Sequence, residues 1–239
     1  MSTRHDLGVT VPWMRQGTTH FLAQLDLLSD IDLRGPSRLP GWTRTHVIGH
    51  LARNADALTR LALWARTRVE TPMYADRQQR AAEIERSARQ PAALLRSDAV
   101  STAQLLDQAL DVLDEVTWQT TVRSAMGREI PASEIPWMRI REVWLHAIDL
   151  DAGARIADLP PGIIDILLDD VVPVLSQKPE CPAVILSPTD RDRDWRLGPD
   201  DVDNVRVIIA PATDLVGWLT GRVAGSTLGD HTPELPAWL

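Results

Sequence analysis

Two segments carry metal-ligating residue types at a spacing that sets them on one helix face. The first is Arg141-Glu142-Val143-Trp144-Leu145-His146-Ala147-Ile148-Asp149, with a carboxylate and an imidazole four residues apart. On an α-helix, positions i and i+4 lie one above the other and reach a common ion. Trp137, Met138, Ile140, Val143, Trp144, Leu145, Ala147 and Ile148 surround them, so both polar groups are expected to be partly buried. A buried carboxylate needs a partner or shifts its pKa. A metal is one partner, and a salt bridge to Arg139 or Arg141 is another. The second segment, Trp42 to Leu51, sets His46 and His50 four residues apart. Bundles build metal sites from side chains on facing helices. Three protein ligands with an open position would be a catalytic arrangement, because water, thiol or substrate can take that position. Each pair also has a plainer reading. Glu142 and His146 could form an ordinary helical hydrogen bond. His50, beside Val47 and Leu51, could be a satisfied core histidine, and His46 falls in the first turn after a Thr43 cap, where polar side chains are usual. Spacing leaves His46 and His50 as alternatives.

Little else in the chain suggests a reactive group. Cys181 lies between Glu180 and Pro182 outside any ligand pattern, and is too isolated to be read as a nucleophile. No P-loop, G-x-G-x-x-G or Ser-His-Asp signature occurs. The alternating acids and arginines of Asp190 to Asp194 read as a solvated loop. Arg222 closes Trp218-Leu219-Thr220-Gly221-Arg222. It is either a cation at a helix C-terminus or an anion clamp for a carboxylate substrate.

The elements that must position these residues are helical at first. Apolar residues at Met14, Phe21, Leu22, Leu25 and Leu28 follow a 3.6 period and predict a helix over Val11 to Leu28. Gly35, Pro36, Pro40 and Gly41 mark a loop, and Thr43 caps a helix reaching about Arg66. Asp76 to Ala88 predicts a charged surface helix. Pro91 opens a long amphipathic helix through Leu113. A short hairpin turning at Met126-Gly127 precedes a helix from about Glu134 to Ala152. Pro160-Pro161-Gly162 then opens a helix to about Gln177. Strand-like runs follow at Ala183 to Leu186, Trp195 to Leu197 and Val205 to Ala210, and then a helix over Ala212 to Gly221. This order predicts an α+β chain: a helical bundle over 1–155, then a small α+β domain over 156–239.

Bulk properties exclude several classes. A net charge of -8 over 239 residues disfavours binding to phosphate backbones, so no nucleic-acid partner is expected. One cysteine allows no internal disulfide, which fits a reducing, cytoplasmic setting. Met1 to Thr10 carries Arg4, His5 and Asp6 with no apolar core, unlike a secretory signal. No apolar run is long enough to span a membrane. Nine tryptophans suit a core or a dimer contact equally, so a monomer and a homodimer are both compatible.

Three stretches resemble a known family. Pro40 to Leu51 (P-G-W-T-R-T-H-V-I-G-H-L), Glu70 to Tyr74 (E-T-P-M-Y) and Pro131 to Leu150 (P-A-S-E-I-P-W-M-R-I-R-E-V-W-L-H-A-I-D-L) are similar to mycothiol-dependent maleylpyruvate isomerases. The closing Pro-x-Trp-Leu at Pro236 to Leu239 extends the resemblance along the whole chain. It implies a DinB-like four-helix bundle followed by a small C-terminal α+β domain. It implies metal ligands at His50, Glu142 and His146, leaving His46 aside, and a functional arginine at Arg222. The cofactors it implies are a divalent metal, Zn²⁺ by its ligand set, and mycothiol as thiol cosubstrate. The implied reaction is isomerisation of maleylpyruvate to fumarylpyruvate, within aromatic-acid breakdown. The expected partners are thus a small anionic substrate and a low-molecular-weight thiol. A thiol S-transferase on the same scaffold and a non-catalytic ligand-binding module are the alternatives.

Overall fold

A computed structural model describes residues 3–199 and 205–238. Met1 of the N-terminal segment and Leu239 of the closing motif lie outside them. The chain divides into two compact units, Met1–Ala154 and Arg155–Leu239. The architecture is α+β, helical first and then small and strand-containing.

The first unit is built on four long helices: α1 (Leu7–Asp26), α2 (Arg44–Thr67), α4 (Ala92–Asp111) and α6 (Ile135–Asp149), with α3 (Arg77–Ala88) packed on α2. Helix α1 starts four residues earlier than its apolar period indicates. Asp6 caps it by accepting the Gly8 N–H at 2.9 Å, a signal carried by a single side chain. Thr43 caps α2 as expected. The charged helix α3 is more than a surface piece, because Ile84 and Ser87 are buried against α2. Gly49 permits that approach: a Cβ there would lie 2.8 Å from the Ser87 Cβ. Between α4 and α6 comes a single helical turn, α5 (Glu115–Trp118), followed by the predicted hairpin, β1 (Thr121–Arg123) and β2 (Glu129–Pro131). Gly127 adopts φ 80° in its turn, where a side chain would be strained.

Helices α1 and α6 press together at Gly17, whose missing Cβ would fall 2.5 Å from the Trp144 Nε1. That indole N–H donates to the Trp13 carbonyl at 3.2 Å, so the ring is held against α1. At the start of α6 the buried Glu134 is satisfied by Arg4, His5 and Arg128. Side chains from all four long helices are fully buried, including Leu25, Leu58, Leu61, Leu106, Ile140 and Trp137. They form the frame on which α2 and α6 run antiparallel.

In the second unit, α7 (Pro161–Ser176) starts on a proline, which suits the first helical position. Its Ile163, Ile164, Leu167, Leu168, Val171 and Leu175 are buried. Three strands follow, β3 (Val184–Pro188), β4 (Trp195–Leu197) and β5 (Arg206–Ala210), in the order β4-β3-β5. β3 is antiparallel to β4 and parallel to β5, with Leu186 opposite Trp195 and Ile208. Alternating burial in β3 and β4 turns Val184, Leu186, Trp195 and Leu197 to the core. Helix α8 (Ala212–Leu219) packs on α7 and β3. The Asp190 to Asp194 stretch is better anchored than a solvated loop. Arg191 pairs with Asp165 at 2.5 Å, and Asp190 accepts the Ala212 N–H at 2.9 Å.

Candidate metal centre

Helices α2 and α6 bring His50, Glu142 and His146 together. Their ligand atoms lie within 4.8 Å of one another, the single such group among the described residues. His50 Nε2 is 2.8 Å from Glu142 Oε2, and His146 Nε2 is 3.2 Å from the same oxygen. His50 is buried, while Glu142 and His146 keep part of their side chains accessible. The chemistry of the donor set fits a divalent ion: two imidazole nitrogens and one carboxylate oxygen.

The surroundings orient these groups. His146 Nδ1 lies 2.8 Å from Oδ2 of Asp149, a fully buried carboxylate one turn further along α6. This carboxylate–histidine contact leaves Nε2 directed at His50 and Glu142, the arrangement that supports a metal-binding imidazole. Trp42 meets the His50 ring edge-on at 5.6 Å, and the His50 and His146 rings are perpendicular at 4.9 Å. Arg80 of α3 approaches His50 Nδ1 at 3.4 Å.

Burial raises the Glu142 pKa, but the charges and hydrogen bonds of His50 and His146 outweigh it and hold the carboxyl well below its usual range. Burial lowers both imidazoles. At His146 the Asp149 and Glu142 carboxylates reverse that and raise its pKa, whereas at His50 burial prevails.

His46 is employed elsewhere. Its Nδ1 accepts the Thr43 backbone N–H at 3.2 Å, and its Nε2 lies 3.2 Å from Glu85. It closes the cap of α2 instead of joining the cluster. Arg139 does not bond to Glu142: its Nη1 donates to the Leu51 carbonyl and to Asn54, each at 2.8 Å. In the second unit, Arg222 follows Gly221, whose φ is 74°, and donates from Nη1 to the Thr220 carbonyl at 2.8 Å. Cys181 is buried, and burial raises its thiol pKa, which disfavours a reactive thiolate.

Sequence reasoning assigned no role to Asp149, Arg80 or Trp42. Asp149 had a readable signal, its i+3 position from His146. The part played by Arg80 depends on how α3 packs, which its charge pattern does not reveal.

The model of the mycothiol maleylpyruvate isomerase N-terminal domain matches residues 14–151, more than half of the chain. The chain belongs to the mycothiol-dependent maleylpyruvate isomerase family. No curated protein matches it. A crystal structure of the mycothiol-dependent maleylpyruvate isomerase is 33% identical, with 100% of both chains covered and a TM-score of 0.92. The structure of a histidine-to-alanine mutant of such an isomerase gives the same 33% identity, full coverage and TM-score of 0.92. The family match spans all three clustered residues.

An Asp149→Asn change tests the orientation of His146 within this family scaffold. The amide keeps the shape but loses the charge, and is expected to weaken metal binding about 10- to 100-fold. Competition with a chromophoric chelator reads it, and unchanged affinity would remove Asp149 from the site.

Proposed function

We propose that the chain is a mycothiol-dependent maleylpyruvate isomerase that uses a divalent metal, Zn²⁺ by its donor set. The observation that carries this reading is the convergence of His50, Glu142 and His146 on one point, in a chain 33% identical to that isomerase over its full length. These three residues would hold the ion, with Asp149 fixing the tautomer of His146. When bound, the ion supplies positive charge that lowers the pKa of a thiol beside it.

The thiolate of mycothiol adds to one carbon of the cis double bond, and the displaced electron pair moves onto the conjugated carbonyl oxygen. The former double bond is now single and rotates. The pair then returns, the C–S bond breaks, and the thiolate leaves with the trans product, fumarylpyruvate. No net proton or electron is exchanged, and the regenerated thiolate is the nucleophile, so the chain needs none of its own. This agrees with the buried Cys181. Arg222 is assigned the substrate carboxylate, because a guanidinium pairs with it in bidentate fashion.

Chelation is expected to abolish turnover of maleylpyruvate with mycothiol, and Zn²⁺ re-addition to restore it. Fumarylpyruvate with release of free thiol is the expected product. A product that retains the thiol would replace isomerisation with S-transfer. Arg222→Ala is expected to lower kcat/KM more than about 10-fold, the scale of a lost charged hydrogen bond. Its melting temperature should stay near wild type. An unchanged rate would confine Arg222 to a structural role at the end of α8.

A further inference from the structure

We propose that Arg139 is a positioning residue for the metal centre, acting as a guanidinium clamp that sets the spacing of α2 against α6 at His50 and Glu142. The proposal rests on the metal reading above and extends it to a residue that touches none of the three ligands.

The α2/α6 seam is cross-bridged on both sides of the cluster. On one side Arg44, the first residue of α2, donates from Nε to the Leu150 carbonyl at 2.6 Å, at the C-terminal end of α6. On the other side Arg139 of α6 reaches back to α2. Its Nη1 donates to the carbonyl of Leu51, the residue after His50, and to Oδ1 of Asn54, one turn after His50. Because the helices are antiparallel, the order along the seam is Arg44 with Leu150, then His50 with His146 and Glu142, then Leu51 and Asn54 with Arg139. Arg139 itself lies three residues before Glu142 on the same face. One side chain therefore ties the backbone beside one ligand to the helix turn that carries another.

The chemistry suits this task. A guanidinium offers a rigid fork of donors, and a helix carbonyl retains a second lone pair after its own helical bond. Arg139 is 3% exposed. Burial lowers its pKa to about 10, with Glu142 as the foremost opposing charge, so it stays protonated at neutral pH. Its Nε finds no hydrogen-bond partner among the described residues. A buried cation of this kind is weak support for stability, since an apolar side chain of similar volume often serves the fold as well. Zinc–nitrogen bonds, in contrast, are confined to about 2.0–2.1 Å, so small slippage between α2 and α6 weakens binding. Retaining a charge at this place makes sense as precision at the ligands.

The test is metal affinity, read without turnover. Zn²⁺ affinity is measured by chelator competition, and site geometry by the visible absorption of bound Co²⁺. Wild type is compared with Arg139→Met, Arg139→Ala and, as a control for lost stability, Leu110→Ala, a buried residue of α4 outside the cavity that reaches Arg139. Arg139→Met is expected to keep its helical content but bind Zn²⁺ about 10- to 100-fold more weakly, with an altered Co²⁺ spectrum. Leu110→Ala should keep wild-type affinity. A cavity of about 300 Å³ between α1 and α4 reaches Arg139. Millimolar ethylguanidine can therefore refill the Arg139→Ala protein and should restore part of its affinity.

Unchanged affinity and spectrum in folded Arg139→Met would overturn the proposal. So would an equal loss in Leu110→Ala, which would mark a general effect of instability. Should Arg139→Met not fold, Arg139→Ala with and without ethylguanidine decides by the same readout, and no gain on adding it overturns the proposal. Wild-type protein that takes up neither ion would overturn the metal reading itself, and this proposal with it.

Discussion

His50→Ala is expected to lose bound metal and to lower maleylpyruvate turnover more than about 100-fold, beyond the range of a change in a supporting residue. The reason is local. Glu142 and His146 share one helix and stay adjacent without help, but His50 is the one group of the three contributed by α2. Removing it leaves two of the three proposed ligands, too few for a closed or catalytic zinc site. The fold should survive, because alanine is the best helix former and the position lies inside α2. Elemental analysis, circular dichroism and the isomerase assay together read the result. Full activity in a metal-free His50→Ala protein would sink the proposed mechanism.

Trp137→Ala is expected to cost about 3–5 kcal/mol, the range for an aromatic side chain truncated to alanine in a core. Trp137 is fully buried and is the largest of the completely buried side chains among the described residues. It stands in the first turn of α6, ahead of Glu142 and His146, so its packing supports the helix that carries two of the three clustered groups. Arg4 lies 6.0 Å from its ring centre and ties the N-terminal turn to the same place. A loss of this size is a large part of a typical domain's stability. At about 2–4 °C per kcal/mol for a chain of this length, the melting temperature should fall by about 6–20 °C. Calorimetry on the metal-free protein measures it, and a shift under a few degrees would show that the site collapses around the smaller residue.

Helix positions were legible because the apolar period of 3.6 is a local property. The windows around Leu58 and Leu106 fall within the predicted helices, and the bounds of α2, α4 and α7 differ from expectation by a few residues at most. The start of α1 was missed because Asp6 acts through one hydrogen bond and leaves no periodic trace. The packing of α3 was missed because just Ile84 and Ser87 of its twelve residues are buried. The strands were legible as short strand-like runs, but their mixed order depends on pairing between distant segments.

At the opening pair of segments the division is clear. Sequence alone placed Glu142 and His146 on one face, because helical geometry sets i against i+4 whatever surrounds it. Spacing could not choose between His46 and His50, which lie four residues apart on α2, and the family resemblance named His50 without a physical reason. Tertiary structure supplies that reason. His46 turns back to the Thr43 cap and to Glu85, while His50 faces α6 at 2.8 Å from Glu142. The crossing of two helices, with the paired residues 92 positions apart in the chain, decides which imidazole meets the carboxylate, and no local pattern encodes that contact.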